Sequence, residues 1–249
     1  MYKKLSSPDI KVTFNDIQIE SGFFWDYQGA EDEHINRCIL APYGEAAEAL
    51  DGADITDVIV EIGCEDDYST ILEGHGYHMD GTESILVKDE TVQLESTVVQ
   101  GTFLNCYPQE VVRYILTQCG ISQYQLSKKN YERKSIFTVP AMSALQAIQE
   151  LQQYWNIDVF FGFHESIFYW DCEPEQNEIY ELDENNILEL EQNGNTWTAE
   201  IVAVPWIRIG QTILVTDSQF YGLARIKKCV IKSKSRGKVD MYIQFIGTE

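Results

Sequence analysis

The residues best placed to do chemistry lie at His75-Gly76-Tyr77-His78, followed by Asp80. Two imidazoles and a carboxylate could hold zinc, as zinc peptidases do with His at i and i+4 of a helix and a Glu between. Here the His spacing is three, and the Thr70-Ile71-Leu72-Glu73-Gly74 run before it reads as a strand. On a strand the two rings point to opposite faces and cannot share an ion without a bulge. No metal is expected. A carboxylate pair across a cleft is what glycoside hydrolysis requires, but among forty Asp and Glu residues abundance selects no pair. Glu65-Asp66-Asp67 reads as a solvated loop between strands. His34 and His164 have no evident partners and suit surface or turn positions. The sequence holds no Gly-x-Ser-x-Gly elbow, P-loop or Gly-x-Gly-x-x-Gly motif. No catalytic residue and no cofactor are expected, and the chain is not read as an enzyme.

Aromatic residues give a stronger lead. Phe23, Phe24, Trp25 and Tyr27 form one group, and Phe160, Phe161, Phe163, Phe168, Tyr169 and Trp170 another. Alternation along a strand buries every second residue, so two runs this dense imply core packing plus some interface anchors. Phe23, Phe24, Trp25 and Tyr27 are the candidate anchors. The alternative use of exposed aromatics, with a carboxylate pair, is a carbohydrate- or cell-wall-acting protein.

Positioning these residues falls mostly to strands. Ile10–Phe14 and Ile17–Glu20 flank an Asn15-Asp16 turn, a hairpin pattern. Further strands are expected at 22–27, 57–63, 70–74 and 83–88, with a short helix over 43–50. Near residue 98 the pattern changes. After a strand at 98–104, Pro108 opens a helix whose face is Val111, Val112, Ile115, Leu116 and Cys119, and Gly120 ends it. A second helix follows Pro140, capped by Ser143 with Gln146 and faced by Leu145, Ile148, Leu151 and Trp155. The segments 157–163 and 166–170 read as a hairpin. An acidic connector over 171–191 leads to more strands, at 197–204, 211–215, 222–232 and 239–245. The fold class is therefore mainly β with an α+β insertion.

The chain of 249 residues has a net charge of −22, unevenly spread. Residues 38–87 hold twelve acidic residues and no Lys or Arg, and residues 171–191 nine acidic and no basic ones. Residues 201–249 reverse the sign, with eight basic and three acidic. Segregated charge serves either association between copies or neutralisation within one chain, and both remain open here. The acidity disfavours specific nucleic-acid binding and an anionic membrane surface. No signal segment or membrane-length apolar window is seen. Six dispersed cysteines, with no Cys-x-x-Cys pair, read as reduced thiols of a cytoplasmically made protein.

Two passages carry a family resemblance. One runs from Gln100-Gly101-Thr102-Phe103 through Leu116-Thr117-Gln118-Cys119-Gly120-Ile121 to Tyr154-Trp155-Asn156-Ile157-Asp158. The other runs from Ile207-Arg208-Ile209-Gly210-Gln211 to Thr216-Asp217, then Gly222-Leu223-Ala224-Arg225-Ile226-Lys227-Lys228. Together they resemble the baseplate hub proteins of phage tails and contractile injection systems, the late control protein D and XkdQ-like group. The resemblance implies two tail-tube-like β-barrel domains carrying helices: a first over 1–95, completed by C-terminal strands, an α+β part of the second over 96–175, and connector plus strands over 176–249. It implies a homotrimer whose six barrels adapt a hexameric tail tube to a trimeric central spike, with tape measure and other baseplate proteins as neighbours. The place would be the baseplate of a virion or a tailocin-like particle, assembled in the bacterial cytoplasm. Glu61, Glu65, Asp66, Asp67, Glu181, Asp183 and Glu184 are the candidates for an acidic lumen or rim that DNA slides past. Arg225, Lys227 and Lys228 join the aromatic group as candidate interface residues.

Overall fold

A computed structural model describes residues 8–31, 34–64, 67–157, 159–164, 166–204, 206–234 and 238–248. Two compact units result, one built from Met1–Asp89 with Glu175–Glu249, the other from Glu90–Pro174. The expected segments 1–95 and 176–249 thus contribute mostly to one unit, with breaks after residues 89 and 174.

The first part of the larger unit runs through strands β1 (Asp9–Phe14), β2 (Ile17–Ile19), β3 (Phe23–Ala30) and β4 (Ile35–Pro42), then helix α1 (Glu45–Leu50), then β5 (Asp57–Cys64), β6 (Asp67–His78) and β7 (Ile85–Lys88). Asn15 takes the left-handed conformation, φ 50°, that the tight β1–β2 turn demands. Its side-chain oxygen also accepts from the backbone N–H of Thr56 at 3.2 Å and of Asp57 at 3.1 Å, which ties the turn to the start of β5. In β3, alternation sends Phe23, Trp25 and Tyr27 into the core.

The smaller unit contains helix α2 (Thr91–Ser96), β8 (Val98–Cys106), helix α3 (Pro108–Gln118), β9 (Tyr124–Leu126), β10 (Lys134–Ser143), helix α4 (Ala144–Trp155), β11 (Phe161–His164) and β12 (Ile167–Trp170). Pro108 occupies the first turn of α3, and Glu110 folds back on the N–H of Tyr107 at 2.8 Å. Ser143 caps α4 by accepting from Gln146 N–H at 3.2 Å, and Asn156 ends it in the left-handed conformation. The helices bury Val111, Val112, Ile115, Leu116, Ala147, Ile148 and Leu151 against the inner face of a two-stranded β8–β10 ribbon.

The chain then adds β13 (Tyr180–Asp183), β14 (Ile187–Asn193), β15 (Thr196–Val202), β16 (Thr212–Thr216), β17 (Tyr221–Lys234) and β18 (Lys238–Gly247). With β1–β7 they make a 13-stranded sheet. Its pairings define two lobes. Lobe one is β3-β4-β7-β6-β5-β1, with β2 on the outside; lobe two is β13-β16-β17-β18-β15-β14. The long β17 belongs to lobe two through Tyr221–Arg225, which pairs with β16, and then pairs with β3 through Lys228–Lys232. A bulge between Ile226 and Lys228 marks the change of partner.

Each lobe rolls towards itself. In lobe one the ring of Phe14 on β1 lies 5.8 Å from that of Phe23 on β3, at the opposite end of the strand order. In lobe two the edge strands β13 and β14 are consecutive in the chain and joined by a turn in which Asn186 N–H donates to Asp183 O at 3.1 Å. Among the described residues no ladder joins β13 to β14 or β1 to β3, so the barrels that the resemblance implied are rolled lobes of one sheet and are not closed by hydrogen bonds. A single apolar cluster, including Val12, Leu40, Val60, Ile213, Ile243 and Phe245, fills both.

Candidate assembly surfaces

The aromatic group on β3 divides by strand parity. Phe23, Trp25 and Tyr27 are core residues, which corrects their reading as interface anchors. Burial pushes the Tyr27 hydroxyl well above its ordinary pKa, as expected of a phenol with no water around it. Phe24 alone faces solvent, 49% exposed, and its ring lies 4.9 Å from that of Tyr43, itself 50% exposed. The second aromatic group is also core: Phe161, Phe163, Phe168, Tyr169 and Trp170 are buried in the smaller unit.

The basic candidates on β17 are engaged within the chain. Arg225 donates from Nε and Nη2 to Oε1 of Glu31, at 3.0 and 2.7 Å, and Lys227 donates to Oε2 of the same carboxylate. Glu31 follows β3 directly, is 5% exposed, and donates its own N–H to Lys227 O at 2.9 Å. This node sits at the bulge where β17 passes from one lobe to the other. Further along, Lys232 pairs with Asp26 at 2.8 Å and Lys234 pairs with Asp240. The question left by charge segregation is settled for these four cations: they meet acids inside the chain. Lys228, half-buried beside them, lies at the first β17–β3 register position, opposite Ala30.

Among the lumen or rim candidates, Glu61 lies 3.5 Å from Lys11 across the β1–β5 ladder. Asp67 opens β6 and is exposed. Glu65 and Asp66 lie outside the described residues. Glu181 is exposed and accepts from the Thr216 hydroxyl at 2.9 Å. Asp183 organises the β13–β14 turn: the Asn185 side chain and N–H both donate to it at 2.9 Å, and these bonds hold its carboxyl below the usual range. Glu184 is exposed in that turn. The larger unit has 13 basic residues against 31 acidic, a net −18, and the smaller 5 against 9, a net −4. Negative charge therefore dominates the sheet unit even after the internal pairs are formed.

His75 and His78 do not converge. His75 Nδ1 lies 4.0 Å from Asp57, whereas His78 Nε2 lies 3.2 Å from Ala53 O. A groove of about 510 Å³ beside β10 is lined by Ile136, Phe137, Thr138, Glu150, Gln153 and Tyr154. It offers one carboxylate where glycoside hydrolysis uses two.

The sequence reading missed the outward apolar rows. On lobe one, Phe24 pairs with Ala41, Ile39 with Leu86, and Leu86 with Tyr77, all on the solvent side of four adjacent strands. Tyr77 is 41% exposed. On lobe two, Tyr221 is 81% and Leu223 43% exposed, with Leu214 opposite Leu223. The smaller unit has its own outward pair, Leu104 opposite Ile136, beside Thr102 and Thr138 whose hydroxyls are 3.3 Å apart. Solvent-facing positions of an antiparallel sheet are ordinarily polar, so such rows are candidate contact surfaces.

In the smaller unit the two long helices each cap one strand of the ribbon with a tyrosine. Tyr114 of α3 donates to Gln100 O on β8 at 2.9 Å, and Tyr154 of α4 donates to Ile136 O on β10 at 2.8 Å. The two caps lie at equivalent places about the Thr102–Thr138 pair. Gly101 takes the place that Phe137 holds on β10, and the Phe103 ring covers it, 3.2 Å from where a Cβ would stand. Capping of edge carbonyls by tyrosines blunts a ribbon that would otherwise recruit strands.

No protein-family model and no curated protein matches the chain. Solved structures do. The 43 kDa tail protein of prophage MuSo2 from Shewanella oneidensis superposes with a TM-score of 0.70 at 9% identity, covering 97% of each chain. The tail protein from Neisseria meningitidis MC58 gives 0.69 at 9%, again over 97% of each. The E. coli c3393 protein, a component of the type VI secretion system with structural similarity to the T4 bacteriophage tail proteins gp27 and gp5, gives 0.67 at 11%, over 96% of this chain and 77% of that one. At such identities the likeness is one of fold, and it extends across both units.

Proposed function

We propose that this chain is a structural protein of a phage tail or a related contractile injection particle, acting as a baseplate hub that adapts a hexameric tail tube to a trimeric spike. The observation that carries this reading is the pair of six-stranded lobes within one sheet. A chain with two comparable lobes lets three copies present six, which is the match a threefold spike needs with a sixfold tube. The full-length likeness to tail proteins and to a secretion-system component supports the same role. The partners would be two further copies, the tube protein, the spike and the tape measure protein. The excess acid of the larger unit suits a passage that DNA crosses without adhering, because like charge denies phosphates a binding surface.

Multi-angle light scattering tests the reading directly. Three chains of 28.6 kDa give a particle of about 86 kDa, which negative-stain images should show as a ring with six lobes. A protein that stays at 28.6 kDa at every concentration, with and without tube protein, overturns it.

A further inference from the structure

We propose that the outer edge of β10 is a strand-addition site, where an extended segment of another protein, carrying a Lys or Arg, pairs as a third strand in the groove between β10 and α4. The site lies within the smaller unit and does not depend on the ring reading. Along an antiparallel strand the backbone N–H and C=O of one residue point together to one side, and those of the next residue to the other. Tyr154 on α4 donates to Ile136 O, so Ile136, and by alternation Thr138 and Pro140, turn their backbone groups away from β8. Two observations agree with this parity. Tyr114 reaches Gln100 O on the far edge of β8, and Gln100 is next to Gly101, the partner of Val139. Pro140 has no N–H to give, which an outward position tolerates and a ladder position does not.

The ribbon has two strands, so among the described residues the Ile136 N–H and both backbone groups of Thr138 have no strand beside them. The Tyr154 cap ends this open stretch on one side and Pro140 ends it on the other. The edge is thus blunted except over one short length, and those two stops limit where an added strand can pair. The groove beside it, about 510 Å³, is walled by Ile136, Phe137 and Thr138 of β10 and by Glu150, Gln153 and Tyr154 of α4. An open strand edge of this kind is where peptides add to sheets, main-chain bonds giving affinity and side-chain contacts selectivity. Ile136 and Tyr154, 48% and 46% exposed, offer apolar contact. Glu150 is exposed, it has no ion pair among the described residues, and the unit carries a net −4. Charge complementarity therefore selects a basic segment. It also disfavours a second copy: β14, another open edge of the chain, carries Glu189 and Glu191, and β10 against β10 brings one Glu150 towards another.

The probes are two pools of synthetic peptides of about eight residues, an ordinary strand length, random in uncharged residues. One pool has a central Lys or Arg, the other a central Asp or Glu. Immobilised full-length chain should retain the basic pool about fivefold over the acidic one, the scale of an exposed ion pair. Thr138→Pro removes an outward N–H without touching the β8 ladder and should lower retention about tenfold. Glu150→Lys, at an exposed position, should reverse the preference between pools, and it carries the test alone if thermal melts show Thr138→Pro unfolded. The basic pool should also slow hydrogen exchange at the Ile136 and Thr138 amides. Equal retention by the parent and folded Thr138→Pro, a basic preference that survives Glu150→Lys, or slowed exchange only elsewhere overturns the proposal. A parent dimer that Thr138→Pro abolishes would assign the edge to a second copy and overturn it as well.

Discussion

Removing the carboxylate of Glu31 should loosen the join between the two lobes. Glu31 is 5% exposed, and the two cations it holds are 13% (Arg225) and 31% (Lys227) exposed. In Glu31→Ala, Lys227 can swing towards water, so its loss resembles that of a surface pair, at most about 1 kcal/mol. Arg225 is more confined, and a guanidinium left without its bidentate acceptor accounts for most of the roughly 3–5 kcal/mol that breaking a buried pair costs. A net loss of about 3–4 kcal/mol is expected. With a urea m-value of about 2 kcal/mol/M, the midpoint of the larger unit should fall by about 1.5–2 M. Hydrogen exchange along β3 and β17 assigns the transition to that unit, since the β17–β3 ladder should open first. The double change Glu31→Leu with Arg225→Met should regain much of the loss, because it removes the buried charge together with its partner. A midpoint shift below about 0.5 M, or protection on β3 that is unchanged, would refute the view that this node fastens the lobes.

Two other outcomes follow from named contacts. In the smaller unit, burial is the largest influence on Asp171 and pushes its pKa up, but hydrogen bonds from Lys129, Ser127 and Tyr131 and the Lys129 charge outweigh it and hold the carboxyl below its ordinary value. A depressed folded-state pKa gives stability that is present above the unfolded value, about 3.9, and is lost as pH falls through the folded one. Asp171→Asn, which tolerates the positive φ of 48°, should thus cost about 1–3 kcal/mol at pH 7, with the difference from the parent shrinking below pH 4 in urea titrations. Gly74→Ala should cost at least about 3 kcal/mol or prevent folding, because the Lys88 carbonyl stands where the new methyl would go, and circular dichroism melts will show it.

What the sequence disclosed depended on whether a signal was local. The two long helices were legible because each joins an unbroken apolar face to signals at its own ends, Pro108 and Gly120 for α3 and Ser143 for α4. Strand β4 was not, because Ile39 and Ala41 are as apolar as the core-facing Cys38 and Leu40, so the expected alternation disappears. The same outward residues that hid the strand build the lobe-one row. Strands β13 and β14 were hidden the opposite way: Leu182, Ile187 and Leu190 are their only buried residues, set among carboxylates that read as a connector. Helix α2 is six residues with Thr91 and Leu94 as its buried side chains, too short for periodicity to register. The Glu31 node was out of reach altogether, since Glu31 and Arg225 are 194 positions apart and meet only because β17 changes partners.

Charge segregation along a chain is therefore a poor guide to charge segregation in space. From its sequence the basic C-terminal stretch could meet acids of another copy or of its own chain; four of its cations meet Asp26, Glu31 and Asp240 of the same chain, none of which lies in either acidic stretch. The acids of 38–87 and 171–191 take no part in those four pairs. With four of the eight cations engaged internally, less of the attraction between copies is left to opposite charge, and the outward apolar rows are available to add to it. Assembly driven by apolar contact against a net −18 should strengthen as salt rises, whereas assembly driven by opposite charge should weaken. The sign of that dependence, read from sedimentation velocity at 0.05 and 0.5 M NaCl, separates the two origins without any substitution.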